Sequence, residues 1–322
     1  MAIFATIVRM KKKRLLTGLQ PSGTLHIGNY FGVLKPFADS YTDYDSMLMV
    51  ADLHALTTSR EPAVLRQNII DIVKDYLAAG IDPERAILFR QSDVPEHTEL
   101  AWVFECLVTV PFLTQAHAYK DKVAKGLEAN AGLFNYPMLM AADILLYNTE
   151  VVPVGEDQRQ HVEYAREAVT KFNNAYGETF DAPQEKIFAG VGVIPGTDGQ
   201  KMSKSYKNTI PLFGSTEEIK KAVMSIVTDS SGEHPKHVHA LHRLFRTEPE
   251  LVGLYEQHAG RYKDLKEALA ADIDAFVAPM REKREQITDA DVIRVLMVGA
   301  EKARERAASK MAEVRKKIGL AL

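Results

Sequence analysis

The sequence predicts an α/β fold in which a doubly wound parallel sheet is followed by an all-helical region. Short apolar runs of strand length alternate with segments of helical periodicity as far as about residue 200. This alternation is typical of a parallel sheet that is covered on both faces. From Thr216 onward the pattern is helical, with few strand signals. We therefore predict a sheet-containing domain over 1–212 and a helical domain over 213–322.

The predicted strands are short, apolar and bounded by turn residues, as buried strands are. The first covers 15–18 and runs into a turn at 21–23, after which helical character begins near Thr24. The other strands are predicted at 46–56, 86–91 and 150–154.

Helices are predicted between these strands and after them. Segment 62–79 has one apolar face, and Gly80 follows at the position of a C-terminal cap. Thr288 and Asp291 form a capping-box signature that opens a long final helix. Pro137 is expected in the first turn of its helix, where a missing N–H is tolerated. Further helical patterns cover 100–110, 137–147 and 157–172.

Composition narrows the classes of protein that the chain can represent. Its 322 residues include 40 basic and 43 acidic side chains, and the net charge of −3 argues against a protein that is basic over its whole surface. The single cysteine, Cys106, excludes an internal disulfide and an iron–sulfur site, and it fits the reducing cytoplasm.

No apolar run is long enough to span a bilayer. Segment 1–14 carries its charges after its apolar residues, the reverse of a secretory signal, and Met10 is a second candidate start.

The segment GLQPSGTLHIGN, at 18–29, joins the first strand to the next helix. Open parallel sheets bind nucleotides at such junctions, because the N–H groups of the helix N-terminus favour phosphate. His26 and Asn29 are three residues apart and can donate towards the same anion. The alternative is a capped helix with incidental polar residues.

A compact cationic loop, GQKMSKS, occupies 199–205. Its two lysines and two hydroxyl groups suit a pyrophosphate leaving group, because preplaced cations stabilise the charge that builds on phosphate oxygens. Flanking glycines permit the loop to close over a ligand. The alternative is a solvated lysine loop.

HIGN and KMSKS, in this order and on this scaffold, resemble the paired signatures of the class I aminoacyl-tRNA synthetases. The resemblance implies a Rossmann-type catalytic domain in which the amino acid carboxylate attacks the α-phosphorus of ATP, used with Mg²⁺. The adenylate then reacts with the terminal adenosine of tRNA. The implied catalytic residues are His26, Asn29, Lys201 and Lys204. The implied ATP-binding residues are Gln20, Pro21, Ser22, Gly28, Asn29, Gly155, Glu156, Asp157, Ile194, Lys201, Met202, Ser203, Lys204 and Ser205.

Asp143 lies in a segment, NYPMLMAADILLYN, whose neighbouring positions are nearly all apolar. A carboxylate is rarely buried in such a helix without a partner, although an Asp on the solvent face is the alternative. Tryptophan fits this position, since its indole N–H only donates and a carboxylate only accepts. Met140, Val152 and Val154 are placed to form apolar walls around a planar ring.

MAADILLY followed by PVGEDQ-x-QH resembles the tryptophanyl branch of this family. The resemblance implies a tryptophan–tRNA ligase that uses L-tryptophan and tRNA(Trp) and forms a homodimer in the cytoplasm, with no resident metal. It assigns the indole nitrogen to Asp143, and the amino end of the substrate to Tyr136, Gln158 and His54. Leu16 departs from the pattern, because some bacterial relatives carry an aromatic residue there. A tyrosyl-tRNA synthetase and a non-catalytic paralogue that binds tryptophan or tRNA remain as alternatives.

The final helix is rich in basic side chains, and a basic stripe can contact phosphates. The helical region resembles the anticodon-binding domain of the family, whereas the individual basic residues are best interpreted as a solvated helix face. These residues are Lys302, Arg304, Arg306, Lys310, Arg315, Lys316 and Lys317.

Overall fold

A computed structural model describes residues 12–124, 126, 128–153, 159–186, 193–228 and 235–321. Within these residues, five parallel strands form one sheet of order β3-β2-β1-β4-β5. The strand order reverses between β1 and β4, which is the switch point where open α/β sheets bind ligands. The strands are β1 (Arg14–Leu19), β2 (Asp45–Val50), β3 (Ile87–Arg90), β4 (Val151–Pro153) and β5 (Gln184–Lys186). The predicted doubly wound α/β fold is confirmed.

Helices precede, follow and cover the strands. In the first half of the chain they are α1 (Ile27–Asn29), which continues through a π-helical turn at Tyr30–Leu34 into α2 (Lys35–Ser40), then α3 (Asp52–Ala55), α4 (Pro62–Ala78), α5 (Glu96–Glu105), α6 (Val110–Leu113), α7 (His117–Ala124) and α8 (Ala131–Leu145). The later ones are α9 (Arg159–Tyr176), α10 (Thr216–Met224), α11 (Lys236–His242), α12 (Glu248–Gln257), α13 (Tyr262–Gln286) and α14 (Asp289–Lys317).

Both faces of the sheet are buried, because successive side chains of a strand point to opposite sides. Leu15 and Leu48 enter the core that contains α4 and α13, whereas Leu16 and Met49 enter the core that contains α5, α8 and α9. Strands β1 to β4 are therefore apolar over most of their length, as the sequence pattern indicated, whereas the edge strand β5 consists of polar residues and was not predicted.

Some predicted boundaries are wrong, and each has a physical reason. The apolar run 46–56 ends as a strand at Val50, and its remainder forms α3, because a short buried helix is as apolar as a strand. The predicted helix 100–110 is divided: α5 ends at Glu105, and a new helix, α6, begins at Val110 with Pro111 in its first turn, where a missing N–H is tolerated.

Two helix starts were also misplaced. Pro137 lies inside α8 rather than in its first turn, because the Asn130 side chain caps the helix by accepting from the backbone N–H of Leu133 at 2.9 Å. The first helix begins at Ile27 instead of near Thr24, with His26 as its N-cap.

The helical part packs closely against the sheet. Gly299 of α14 lies so near β3 that an added Cβ would stand 1.8 Å from the carbonyl oxygen of Leu88. Arg284 of α13 pairs with Asp71, at 2.9 Å, and with Asp75 of α4. The capping box of Thr288 and Asp291 at the start of α14 is confirmed.

Several basic side chains of α14 bind other parts of the chain. Arg306 pairs with Asp45 at 2.9 Å, and Lys310 donates to the carbonyl oxygen of Thr179 at 2.6 Å. Arg315 pairs with Glu99, and Arg304 donates to the carbonyl oxygen of Asp93. These four side chains therefore anchor the helix, in contrast to the solvated face that was predicted. No helix of the described residues has the length and apolar character needed to cross a membrane.

Candidate active site

Polar residues follow the carboxyl ends of neighbouring strands, at one edge of the sheet. The loop 20–26 follows β1, α3 follows β2, and a turn at Gln91–Asp93 follows β3. Ligands bind outside this edge in open α/β sheets. The segment after β4 carries five of the predicted site residues, which lie outside the described residues: Val154, Gly155, Glu156, Asp157 and Gln158.

His26 and Asn29 cap the first helix reciprocally. His26 Nδ1 accepts from the backbone N–H of Asn29 at 3.2 Å, and Asn29 Oδ1 accepts from the backbone N–H of His26 at 3.2 Å. Burial, assisted by the charge of Lys204, lowers the pKa of His26 to about 4, so the imidazole is neutral at neutral pH. Since Nδ1 is the acceptor, the proton lies on Nε2. The atoms left to donate to a ligand are therefore His26 Nε2 and Asn29 Nδ2.

The cationic loop contacts the first motif directly. Lys204 Nζ donates to the carbonyl oxygens of Ser22, at 3.1 Å, and Gly23, at 2.9 Å. The backbone N–H of Gly28 points to the sulfur of Met202 at 3.3 Å. Burial lowers the pKa of Lys204, while the charge of Asp75 acts in the opposite direction. Two segments that are distant in sequence thus form one site.

The other residues predicted to bind ATP lie around this contact. The Gln20 carbonyl accepts from the backbone N–H of Ser22 at 2.8 Å, and Pro21 between them is buried. The carbonyl of Ile194 accepts from the backbone N–H of Met202 at 2.9 Å. Lys201 is exposed, and the Ser203 and Ser205 hydroxyls lie 2.9 Å from each other.

Asn208, which the sequence did not single out, holds the cationic loop in shape. Only 2% of it is exposed. Its amide nitrogen donates to Asp198 Oδ1 at 2.7 Å and to the carbonyl of Lys201 at 3.1 Å, and its amide oxygen accepts from the backbone N–H of Ser203 at 2.8 Å. Gly196 leaves room for it, since a Cβ there would stand 2.3 Å from the amide.

The resemblance of the motifs implies tryptophan-dependent ATP–pyrophosphate exchange. Replacing Asn208 with alanine is expected to slow this reaction by about tenfold or more, because three hydrogen bonds of the loop are lost at roughly 1 kcal/mol each. Tryptophan affinity should stay unchanged. Exchange rates and equilibrium dialysis measure the two quantities, and Asn174→Ala, at an exposed position of α9, is the matched control. Wild-type exchange in Asn208→Ala would contradict the role of this side chain.

A second group of predicted residues meets beside α8. Tyr136, Met140 and Asp143 follow at intervals of four and three residues and share one face of this helix. His54 Nε2, from α3, lies 2.8 Å from Asp143 Oδ2, and its ring centroid lies 6.3 Å from that of Tyr136. Met140 and Val152 pack in the adjoining core. The predicted tryptophan-binding residues that the structure describes are therefore brought together.

Asp143 is 2% exposed, so the alternative of a solvent-facing side chain is wrong. Burial alone would raise the pKa of Asp143, but hydrogen bonds from His54 and His97 outweigh burial and hold this pKa at about 2. The carboxylate is therefore charged at neutral pH and accepts hydrogen bonds only.

Two partners of Asp143 were not predicted. Gln91 Nε2 donates to Asp143 Oδ1 at 2.7 Å, and His97 Nδ1 lies 2.6 Å from the same oxygen. Both residues are fully buried. Gln91 directly follows β3, and the convergence of strand ends at one edge was the available signal for it. His97 carried no comparable signal.

Comparisons with known proteins agree with this geometry. The model of the family "tRNA synthetases class I (W and Y)" matches residues 9–289. The chain is 47% identical to a tryptophan–tRNA ligase of Rhodopirellula baltica over 95% of this chain and 99% of the relative. It is 45% identical to one of Fusobacterium nucleatum, over 96% and 98%.

A solved structure is also similar. The tryptophanyl-tRNA synthetase of Campylobacter jejuni, complexed with ADP and tryptophan, superimposes with a TM-score of 0.88 at 43% identity, over 95% of this chain and all of that one. The chain therefore belongs to the class I tRNA synthetases for tryptophan and tyrosine. Within this family it groups with the bacterial tryptophan–tRNA ligases, which confirms the resemblance of its motifs.

Proposed function

We propose that this chain activates L-tryptophan with ATP and transfers it to tRNA(Trp). In the first step the tryptophan carboxylate attacks the α-phosphorus of ATP, forming tryptophanyl-adenylate and releasing pyrophosphate. The observation that carries this proposal is the contact of Lys204 with Ser22 and Gly23, which joins the cationic loop to the helix-entry loop at the switch point of the sheet. A cation there meets the charge that develops on the leaving group.

The first motif and the cationic loop would share the triphosphate. His26 Nε2 and Asn29 Nδ2 are the donors that the capping box leaves over for phosphate oxygens. Lys201 and Lys204 would stabilise the β- and γ-phosphates as the bond to the α-phosphorus breaks. The remaining predicted contacts with ATP, including those of 155–157, belong to the same proposal.

We further propose that ATP binds with Mg²⁺. Among the described residues, no three His, Cys, Asp or Glu side chains are grouped to hold a metal ion. The ion would therefore be held by phosphate oxygens and water, a common arrangement for Mg²⁺ with nucleotides. Its charge would supplement that of the two lysines. An iron–sulfur cluster is not proposed, because the chain has one cysteine.

Tryptophan would occupy the pocket beside α8. Asp143 would accept from the indole N–H, while Tyr136, His54 and Gln158 would surround the amino end. Met140, Val152 and Val154 would form the apolar walls. The division into a catalytic domain over 1–212 and an anticodon-binding helical domain over 213–322 is part of the proposal, as are a homodimer and a cytoplasmic site of action.

ATP–pyrophosphate exchange with tryptophan, tyrosine or phenylalanine as the only amino acid tests the proposed function. We expect exchange with tryptophan and none above background with the other two, followed by charging of a tRNA(Trp) transcript when it is added. Exchange driven by tyrosine would indicate the tyrosyl alternative. Tryptophan binding without exchange would indicate a non-catalytic paralogue.

A further inference from the structure

A line of buried polar groups continues from Asp143 into the core. His97 lies between the carboxylate and the hydroxyl of Tyr147, with Nε2 2.7 Å from the Tyr147 oxygen and Nδ1 2.6 Å from Asp143 Oδ1. His97 is fully buried and Tyr147 is 1% exposed. The Phe89 ring stacks on His97 at 6.1 Å and meets Tyr147 edge-on at 5.5 Å, so both rings are held in place.

His97 is in close contact with a polar group on each side. Its Nδ1 lies 2.6 Å from Asp143 Oδ1, a distance at which a ring N–H is attracted to the carboxylate, and its Nε2 shares a hydrogen bond with the Tyr147 hydroxyl. Burial, followed by the charges of Asp143 and Glu96, raises the pKa of Tyr147, so this hydroxyl keeps its proton.

Asp143 is thereby left with a defined acceptor site. An ionised carboxylate has about four lone-pair positions. Among the described residues, Gln91 and His97 both face Oδ1, and His54 faces Oδ2. One lone pair therefore remains on Oδ2, the carboxylate oxygen beside His54 and on the side of Tyr136.

We propose that Tyr147, acting through His97, is a positioning residue that orients Asp143 for the indole N–H and thus contributes to the selection of tryptophan. The inference rests on the proposed role of Asp143 in tryptophan binding. The hydrogen bond with Tyr147 holds the imidazole with Nδ1 at 2.6 Å from the carboxylate. If Tyr147 loses its hydroxyl, His97 Nε2 loses this hydrogen-bond partner. The cost of an unpaired buried nitrogen then favours a rotation of the ring away from Asp143.

The test compares L-tryptophan with L-3-(3-benzothienyl)alanine, in which sulfur replaces the indole N–H in a ring of similar shape. The ratio of kcat/KM for the two substrates in pyrophosphate exchange reports on the hydrogen bond itself. In Tyr147→Phe we expect this ratio to fall about tenfold, through a higher KM for tryptophan, because one buried hydrogen bond is lost. The kcat/KM for the benzothienyl substrate and the KM for ATP should stay near the wild-type values.

Tyr41→Phe is the matched control. Tyr41 is also buried, in the core on the other side of the sheet, and its hydroxyl accepts from the backbone N–H of Asp82 at 3.2 Å. Its substitution removes a comparable hydrogen bond far from Asp143, so the ratio should not change. A wild-type ratio in Tyr147→Phe, or an equal loss for both substrates, would overturn the proposal.

Two substitutions of His97 provide an independent comparison. The amide nitrogen of His97→Asn can take the place of Nδ1 as a donor to Asp143, whereas His97→Leu cannot donate. We expect His97→Asn to retain more of the substrate ratio than His97→Leu, and equal ratios would contradict the role of His97. Absence of tryptophan-dependent exchange in the wild type would overturn the proposed function itself.

Discussion

Replacing Asp143 with alanine is expected to erode the preference for tryptophan over phenylalanine, which we expect to be roughly 10⁴–10⁵-fold in the wild type. The reason is that phenylalanine lacks the N–H donor and leaves one acceptor position of the buried carboxylate unpaired. The preference is measured as the ratio of kcat/KM in pyrophosphate exchange. A variant that keeps the full wild-type preference would remove Asp143 from the specificity mechanism.

Loss of Asp143 also affects stability, because His54, His97 and Gln91 lose their acceptor at a cost of about 1–3 kcal/mol for each unpaired group. Asp143→Asn preserves the volume of the side chain and should fold more readily, with a reduced preference. Asp272→Asn is a suitable control: this carboxylate pairs with Arg246 in the helical part and does not contact the pocket. Its substrate preference should equal that of the wild type.

Replacing Lys204 with alanine is expected to slow adenylate formation by about 100-fold or more. Tryptophan affinity should change much less, because the charge that Lys204 meets grows in the transition state. The substitution also removes the hydrogen bonds to Ser22 and Gly23 that join the two motifs. Single-turnover formation of the adenylate and equilibrium dialysis with tryptophan separate the two effects.

The exposed Lys207, three residues further along and just outside the cationic loop, provides a control for the loss of one lysine. Lys207→Ala should form the adenylate at nearly the wild-type rate, since burial and the contact with the first motif belong to Lys204. Equal rates in Lys204→Ala and the wild type would exclude this side chain from the chemistry.

Local patterns were sufficient to predict four of the five strands, whereas the polar edge strand β5 gave no apolar signal and was missed. Strands such as β1 and β2 are buried on both faces, and this gives an apolar signal that does not depend on their neighbours in space. The same apolar signal did not distinguish β2 from α3, because α3 is also buried and a short buried helix is as apolar as a strand. Pro137 was misplaced because the cap at Asn130 determines where α8 begins.

The site was predictable where chemistry is concentrated in sequence. His26, Lys204 and Asp143 were identified from local motifs and His54 from the family resemblance, and the structure brings His26 together with the cationic loop and His54 together with Asp143. Gln91, His97 and Asn208 act through partners between 5 and 52 residues away in the chain, so their roles depend on strand order and loop geometry. The predicted roles of 154–158 stay predictions, as do the individual contacts with ATP and tryptophan.

The close approach of Gly299 to Leu88 has a consequence for synthesis of the chain. β3 is an edge strand, and an uncovered edge can pair with the edge of another molecule and begin aggregation. In the folded protein α14 lies over this strand, but α14 follows β3 far along the sequence and leaves the ribosome long after it. During translation the edge of β3 is therefore exposed until α14 has been made. In a chain truncated before α14, this edge would stay exposed and could associate with other molecules.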